Sequence, residues 1–248
     1  MIRVASTAIL LLGLAACSSP RPAPPQATTV PVANAAVVLA AGDASRDEGR
    51  FAEALQIYQQ LLLRDQNDGA AQYGVAECML GLGRAFDAKT AFDALPQDPR
   101  YHAVALQGRG LAFLALNQRE NAGKALREAT ELDQALWRSW NALGILADLQ
   151  QDWPEAQTAY AKALAAKPDS AMLHNNLGYS RLLSGQADAA IVEIRKAVGL
   201  DPDNATIQNN LRLAFATKGN YRSATQGVAK EDQAMVLNNV GYVAMQRG

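Results

Sequence analysis

The feature that most constrains the fold is a strict spacing of 34 residues between small side chains. Alanine recurs in one column, at Ala54, Ala88, Ala122, Ala156, Ala190 and Ala224. A second column holds glycine or alanine, at Gly42, Ala76, Gly110, Gly144 and Gly178. A repeat of fixed length predicts similar structural units that stack, each covering the apolar face of its neighbour.

Two further columns with the same period indicate a pair of helices in each unit. A large apolar residue follows each alanine by four positions, at Tyr58, Phe92, Leu126, Tyr160, Ile194 and Val228. Residues four apart share a helix face, so this column marks a buried face of the second helix. A column rich in glycine marks the turn between the helices, at Gly49, Gly83, Asn117, Gln151, Gly185 and Gly219. Glycine readily adopts the left-handed conformation that ends many helices.

Proline and polar residues after the second helix mark the junction between units. Pro168 and Pro202 are expected to end a helix, and Ser170 and Asn204 are expected to cap the next one. Pro96 falls within the second helix of its unit and is expected to cut that helix short.

The period and the residue types at these positions resemble the tetratricopeptide repeat. The resemblance covers residues 35–248 and is most specific between residues 137 and 204. There it rests on Trp140, Leu143, Gly144, Ala156, Tyr160, Ala163 and Pro168. It implies an all-α fold, an α-solenoid of about six repeats plus a C-terminal half-repeat helix near residues 231–246. Arg109 and Arg212 depart from the pattern, in places that usually hold an apolar residue and glycine.

The first seventeen residues resemble the signal of a bacterial lipoprotein. Arg3 precedes an apolar run over residues 4–16. A membrane-spanning helix needs about 20 residues, so this run has the length of a signal-peptide core. It ends in the letters LAAC, which resemble a lipobox and imply cleavage before Cys17 and lipidation of Cys17. The alternatives are an ordinary signal peptide with a chance cysteine and an N-terminal anchor helix.

The lipobox resemblance also predicts where the protein lies. Ser18 follows Cys17, and a residue other than aspartate there implies sorting to the outer membrane, with the chain on its periplasmic face. Residues 18–34 hold five prolines and few large apolar side chains, which predicts an extended tether. The expected organisation is a signal peptide over residues 1–16, a lipidated tether over 17–34 and a repeat superhelix over 35–248.

Composition and residue types argue against an enzyme. The formal charge of −1 provides no field that favours nucleic acid. His102 and His174 are the two histidines, and neither has a metal-ligand pattern around it. His174 takes the place of Trp140 in the preceding repeat and is interpreted as a core or interface residue. Cys78 lies mid-helix and is expected to be an inert buried thiol. We therefore predict no catalytic residue, cofactor or metal.

A repeat stack is instead expected to bind a protein partner through the first helix of each repeat, which lines its concave face. The predicted groove consists of Asn141, Ile145, Leu149, Asn175, Tyr179, Leu182, Asn209, Leu213, Asn238 and Tyr242. A side-chain amide both donates and accepts, so the asparagines suit an extended peptide backbone. The alternative is that they bond neighbouring helices, which is the expectation for Asn176, Asn210 and Asn239.

The lipobox, the tether and the last repeats together resemble the TadD group of tight-adherence lipoproteins. The letters NNLGY, NNL and NNVGY begin at Asn175, Asn209 and Asn238. The resemblance implies a pilotin-like scaffold for assembly of the Tad/Flp pilus secretin, with an outer-membrane secretin or another pilus assembly component as partner. The alternative is another envelope lipoprotein with the same repeats, such as a type IV pilus pilotin, an outer-membrane assembly subunit or a periplasmic chaperone.

Overall fold

The computed structural model describes residues 34–96 and 98–228, together with residues 236, 238 and 241. The described residues form helices and no strands, so the all-α prediction is confirmed. The helices are α1 (Ala35–Asp47), α2 (Phe51–Leu62), α3 (Gly69–Gly81), α4 (Ala85–Asp93), α5 (Pro99–Ala115), α6 (Arg119–Leu132), α7 (Trp137–Leu149), α8 (Trp153–Ala166), α9 (Ala171–Leu183), α10 (Ala187–Leu200), α11 (Ala205–Thr217) and α12 (Tyr221–Thr225).

Successive helices pair into hairpins, and the hairpins stack into a solenoid. Each helix packs against the next one along the chain. The odd-numbered helices also contact one another between hairpins, as α1 does with α3, α3 with α5, α5 with α7, and α9 with α11. We call the odd-numbered helices the inner layer and the even-numbered helices the outer layer.

The alanine and large apolar columns form the contact between the two helices of a hairpin. Ala156 and Tyr160 of α8 are buried, as are Ala190 and Ile194 of α10. The inner helix meets them with a residue that lacks a side chain: a Cβ atom added to Gly178 would lie 2.5 Å from Cγ1 of Ile194. The close approach of the two helices therefore depends on both columns, as the periodicity predicts.

The turn column adopts the left-handed conformation, including at its two members that are not glycine. The φ angle is 58° at Asn117, 61° at Gln151 and 81° at Gly185. Glycine adopts this conformation without a Cβ clash, and asparagine tolerates it better than most residues do. The caps also follow the prediction, because Ser170 accepts from the backbone N–H of Leu173 and Asn204 accepts from that of Ile207.

Two elements are shorter than their counterparts. Helix α4 has 9 residues where α6 has 14. The predicted effect of Pro96 is thus confirmed, since proline lacks an N–H group and disfavours a helical conformation at the preceding residue. Helix α12 has 5 residues where α10 has 14.

The stack continues beyond α12. Val236 is buried and packs with Ala216 and Ala224. Within the helix predicted near residues 231–246, the structure describes residues 236, 238 and 241, and all three are helical. The other residues of that helix lie outside the described part of the chain.

Candidate partner-binding site

Inner-layer helices α7, α9 and α11 carry most of the residues predicted to bind a partner. Seven of these residues are exposed or half-buried, at Asn141, Ile145, Leu149, Asn175, Tyr179, Asn209 and Leu213. Leu149 is 53% exposed and Tyr179 is 38% exposed, which is high for large apolar or aromatic side chains. Asn141, Asn175 and Asn209 take the same place on their three helices, and we call them the asparagine row.

The remaining predicted site residues have different outcomes. Leu182 is buried in the core with Ala187 and Ile191, so its assignment to the groove is wrong. Helices α10 and α11 both pack over it, and it serves the stack rather than a partner. Asn238 is helical and exposed. Tyr242, and Cys17 as the lipidation site, lie outside the described residues.

Four of the asparagines bond a neighbouring inner helix, as the alternative interpretation proposed. Nδ2 of Asn176 on α9 donates to Oδ1 of Asn141 on α7 at 2.9 Å. Nδ2 of Asn210 on α11 donates to Oδ1 of Asn175 on α9 at 2.9 Å. Adjacent asparagines therefore link consecutive inner helices, and the prediction for Asn176 and Asn210 is confirmed.

Two exposed apolar residues on α9 were missed by the sequence reasoning. Met172 is 44% exposed and Leu183 is 47% exposed. Met172 precedes Tyr179 by seven positions, and Leu183 follows it by four, so the three lie along one helix face. That spacing was the available signal. Leu183 also takes the place on α9 that Leu149 takes on α7, because the two are 34 residues apart.

Around α5 the inner layer is filled by paired polar side chains. Arg138 of α7 donates to Glu77 of α3 at 2.6 Å, across two repeats. The Ser139 hydroxyl donates to Oε1 of Gln107 on α5 at 3.3 Å. Gln107 takes the place on α5 that Asn141 takes on α7, yet it is only 4% exposed. The inner surface is therefore closed at α5 and becomes accessible from α7 onward.

Glu193 of α10 is a buried carboxylate that accepts hydrogen bonds from three side chains. It accepts from His174 at 2.8 Å, from Arg181 at 3.1 Å and from Lys196 at 3.2 Å. Burial alone raises the pKa of Glu193, but hydrogen bonds from His174 and Lys196 and the charges of Lys196 and Arg181 outweigh burial and lower this pKa. The other ring nitrogen of His174 faces the carbonyl oxygen of Pro168 at 3.1 Å. The prediction that His174 is a core or interface residue is confirmed.

Cys78 is fully buried, as predicted. Burial raises the pKa of its thiol to about 11, so the reactive thiolate is scarce at neutral pH. Within residues 34–96 and 98–228 and the three later described residues, no group of His, Cys, Asp and Glu has a metal-binding arrangement. In the same part of the chain, each helix is too short or too polar to cross a bilayer.

Three family models match the chain, and all three carry the description tetratricopeptide repeat. They match residues 45–109, 103–136 and 141–205. Together they cover most of the solenoid, including Asn141 and Asn175 of the asparagine row. No curated protein matches the sequence significantly.

Several solved structures share the fold at low sequence identity. A thermophilic tetratricopeptide-repeat protein of Thermus thermophilus matches with a TM-score of 0.62 and 22% identity, over 77% of this chain and 98% of that chain. The pilF protein of Pseudomonas aeruginosa matches with a TM-score of 0.63 and 16% identity, over 77% of this chain and 86% of that chain. A chain of the Cut9–Hcn1 hetero-tetramer of APC/C matches with a TM-score of 0.69 and 19% identity; the match spans 85% of this chain and 40% of that chain.

Proposed function

Since the chain is a tetratricopeptide-repeat protein, we propose that it is a lipid-anchored scaffold that binds a partner protein along α7, α9 and α11. This repeat fold typically serves as a non-catalytic scaffold for protein binding. The observation that carries the proposal is the exposure of Leu149 and Tyr179 beside the asparagine row, on the accessible part of the inner layer. Exposed apolar side chains that cluster on one face mark an interaction surface.

The double variant Asn175→Ala, Tyr179→Ala is expected to weaken partner binding about tenfold or more, because both side chains lie on the accessible face of α9. The measurement is the amount of partner that co-purifies with the full-length protein from native membranes. A matched control changes the same residue types elsewhere, in Asn121→Ala, Tyr221→Ala, where both side chains are exposed. If the two double variants lost the same amount of co-purified partner, α9 would not be part of the binding site.

The proposed anchor is an acylated Cys17 at the periplasmic face of the outer membrane. Each buried methylene contributes about 0.8 kcal/mol, and stable attachment requires more than one acyl chain. The Cys17→Ser variant is expected to move from the membrane fraction to the soluble fraction after cell lysis. Ser18→Ala keeps Cys17 and serves as the control. A Cys17→Ser protein that still sediments with membranes would place the anchor elsewhere.

The finer proposal is a pilotin-like role in assembly of the Tad/Flp pilus secretin. It is supported by the resemblance to the TadD group in the lipobox, the tether and the repeated asparagine pairs. An outer-membrane secretin, or another pilus assembly component, is the proposed partner. Other envelope lipoproteins with these repeats remain the alternative: a type IV pilus pilotin, an outer-membrane assembly subunit or a periplasmic chaperone.

Deletion of the gene is expected to abolish the heat-resistant multimers of the Tad secretin, because a pilotin acts before the ring assembles. Secretin multimers in membranes of the deletion strain are detected by immunoblotting. Complementation with the wild-type protein should restore them, whereas Cys17→Ser should not. Normal multimers in the deletion strain would exclude the pilotin role and leave the alternative envelope roles.

A further inference from the structure

The outer layer has a gap where α4 ends early. Helices α4 and α6 begin 34 residues apart, at Ala85 and Arg119, but α4 has 9 residues and α6 has 14. This difference is more than one helical turn. A cavity of about 400 Å³ lies at the gap, lined by the end of α4, the segment that follows it, α5 and α6. Its volume is within the range of about 300–1,000 Å³ that is usual for binding sites.

Arg109 of α5 lines this cavity with hydrogen-bond donors that are mostly unused. Its Nε atom is buried, and among the described residues this atom has no hydrogen-bond partner. Nη1 of Arg109 contacts Oδ1 of Asp93 at 3.5 Å, the limit of a hydrogen bond. A guanidinium has five N–H donors, and a buried donor without a partner lowers stability. The same position in other repeats holds an apolar residue, at Val75, Leu143, Leu177 and Leu211.

The charges around the cavity leave the guanidinium of Arg109 without a full counter-charge. Lys89 and Arg109 share one carboxylate, that of Asp93, and the Lys89 ammonium is the nearer of the two at 2.7 Å. Asp98 is held by Arg100 at 2.6 Å. A carboxylate that enters the cavity therefore finds a cation to pair with, and its two oxygens match the paired N–H groups of a guanidinium.

The rest of the lining favours a polypeptide as the occupant. It is largely apolar, at Leu95, Pro96, Pro99, Ala105 and Leu106. In α6 the last turn, which α4 lacks, packs against the stack, since Ala129 and Thr130 are buried. A segment of a partner protein can occupy the corresponding place beyond α4 and cover the apolar lining there.

We propose that this cavity binds an acidic side chain of a partner protein, with the carboxylate on the guanidinium of Arg109. Glu128 of α6 is in the same lining and is exposed, so its charge opposes the ligand and limits the affinity. A basic side chain could pair with Glu128, but it would leave the donors of Arg109 unused and place a like charge beside them. The cavity is separate from the inner face of α7 and α9, so this inference does not rest on the function proposed above.

The test uses a phage library of random twelve-residue peptides, selected on the full-length protein and depleted on the Arg109→Met variant. Peptides that the wild type retains and this variant releases report on the cavity. Methionine lacks the donors but belongs to the apolar class that the other repeats have at this position, so the variant is expected to fold. Arg127→Met, at an exposed position of α6 outside the lining, is the matched control.

The recovered peptides are expected to carry Asp or Glu beside an apolar residue. The tightest one should bind Arg109→Met about tenfold more weakly or worse, because a hydrogen bond between charged groups is lost. Replacement of its acidic residue by the corresponding amide should weaken binding to the wild type by a similar factor. Arg127→Met should change the affinity less than twofold, and Glu128→Gln should raise it about twofold.

The melting temperature separates a binding residue from a structural one. Arg109→Met removes a buried donor without a partner, so its melting temperature should be about 3 °C above that of the wild type. Loss of peptide binding together with a lower melting temperature would make Arg109 a structural residue and overturn the inference.

The selection itself has two outcomes that would also overturn the inference. One is recovery of no peptide, and the other is recovery of basic or uncharged peptides. The Asn175→Ala, Tyr179→Ala variant should bind the selected peptide as the wild type does; loss of binding there would place the peptide on the inner face instead. Each of these results leaves the function proposed above to its own test, the partner that co-purifies through α9.

Discussion

The Gly178→Leu variant is expected to lower the free energy of unfolding by about 3 kcal/mol, the upper part of the range for overpacked cores. A Cβ atom at this position would lie 2.5 Å from Cγ1 of Ile194, 3.1 Å from the carbonyl oxygen of Ala190 and 3.2 Å from the backbone nitrogen of Ile194. Two of these three atoms belong to the backbone of α10. A rotamer change therefore cannot relieve the clash, and α9 and α10 must separate.

Gly199→Leu provides the matched control. Gly199 lies in α10, and apart from its chain neighbours and the nearby backbone of α10, no heavy atom lies within 4 Å of a Cβ built there. Leucine also has a helix propensity about 0.8 kcal/mol better than glycine, so this variant is expected to be as stable as the wild type or slightly more stable. Urea unfolding followed by circular dichroism gives both values. Equal stability of the two variants would mean that the 34-residue glycine column does not set the distance between the helices.

The Glu193→Ala variant is expected to lose about 3 kcal/mol at pH 7, the lower end of the range for breaking a buried ion pair. Removal of this carboxylate leaves the guanidinium of Arg181 without its counter-charge and a ring nitrogen of His174 without its hydrogen-bond partner, and both side chains are largely buried. Glu128→Ala is the control, since Glu128 is exposed on α6. Thermal and urea unfolding at pH 7 compare the two. A loss below about 0.5 kcal/mol would mean that the contacts with Glu193 contribute little to stability.

The same carboxylate predicts a pH dependence with a definite sign. The pKa of Glu193 is lower in the folded chain than its ordinary value of 4.5. The contribution of Glu193 to the free energy of unfolding is therefore fully present above pH 4.5. This contribution is lost as the pH falls through the pKa of the folded state. The wild type should lose more stability than Glu193→Ala below pH 4.5, so the difference between them should shrink. A constant difference down to pH 3 would contradict the lowered pKa.

The periodic part of the fold was predictable because each column reports a contact that recurs in every hairpin. Ala156, Tyr160 and Gly178 are each set by packing between two helices, and that packing lies within one repeat of sequence. The left-handed turns at Asn117 and Gln151 follow from the same register, although neither residue is glycine. The shortened α4 was predictable from Pro96, since the effect of proline is local.

The parts that escaped prediction depend on contacts that no column contains. Glu77 and Arg138 are 61 residues apart, which is not a multiple of 34, and their pairing depends on how three inner helices sit together. It closes the surface at α5, so the accessible region begins at α7. Leu182 failed for a different reason: the 34-residue period places Leu183, not Leu182, at the position that Leu149 takes on α7. Met172 and Leu183 could have been found from their spacing to Tyr179.

A partner protein is proposed to dock on the inner face of α7 and α9. Photo-crosslinking in living cells, with p-benzoylphenylalanine placed singly in the full-length protein, tests this docking. Leu149 and Leu183 are the test positions. Leu63 on the C-terminal side of α2 and Phe86 on α4, 86% and 70% exposed, are exposed apolar controls outside the proposed site. We predict that both test positions crosslink to the same partner protein and that neither control does. Crosslinking at Leu63 or Phe86 but not at Leu149 and Leu183 would mean that the partner docks elsewhere.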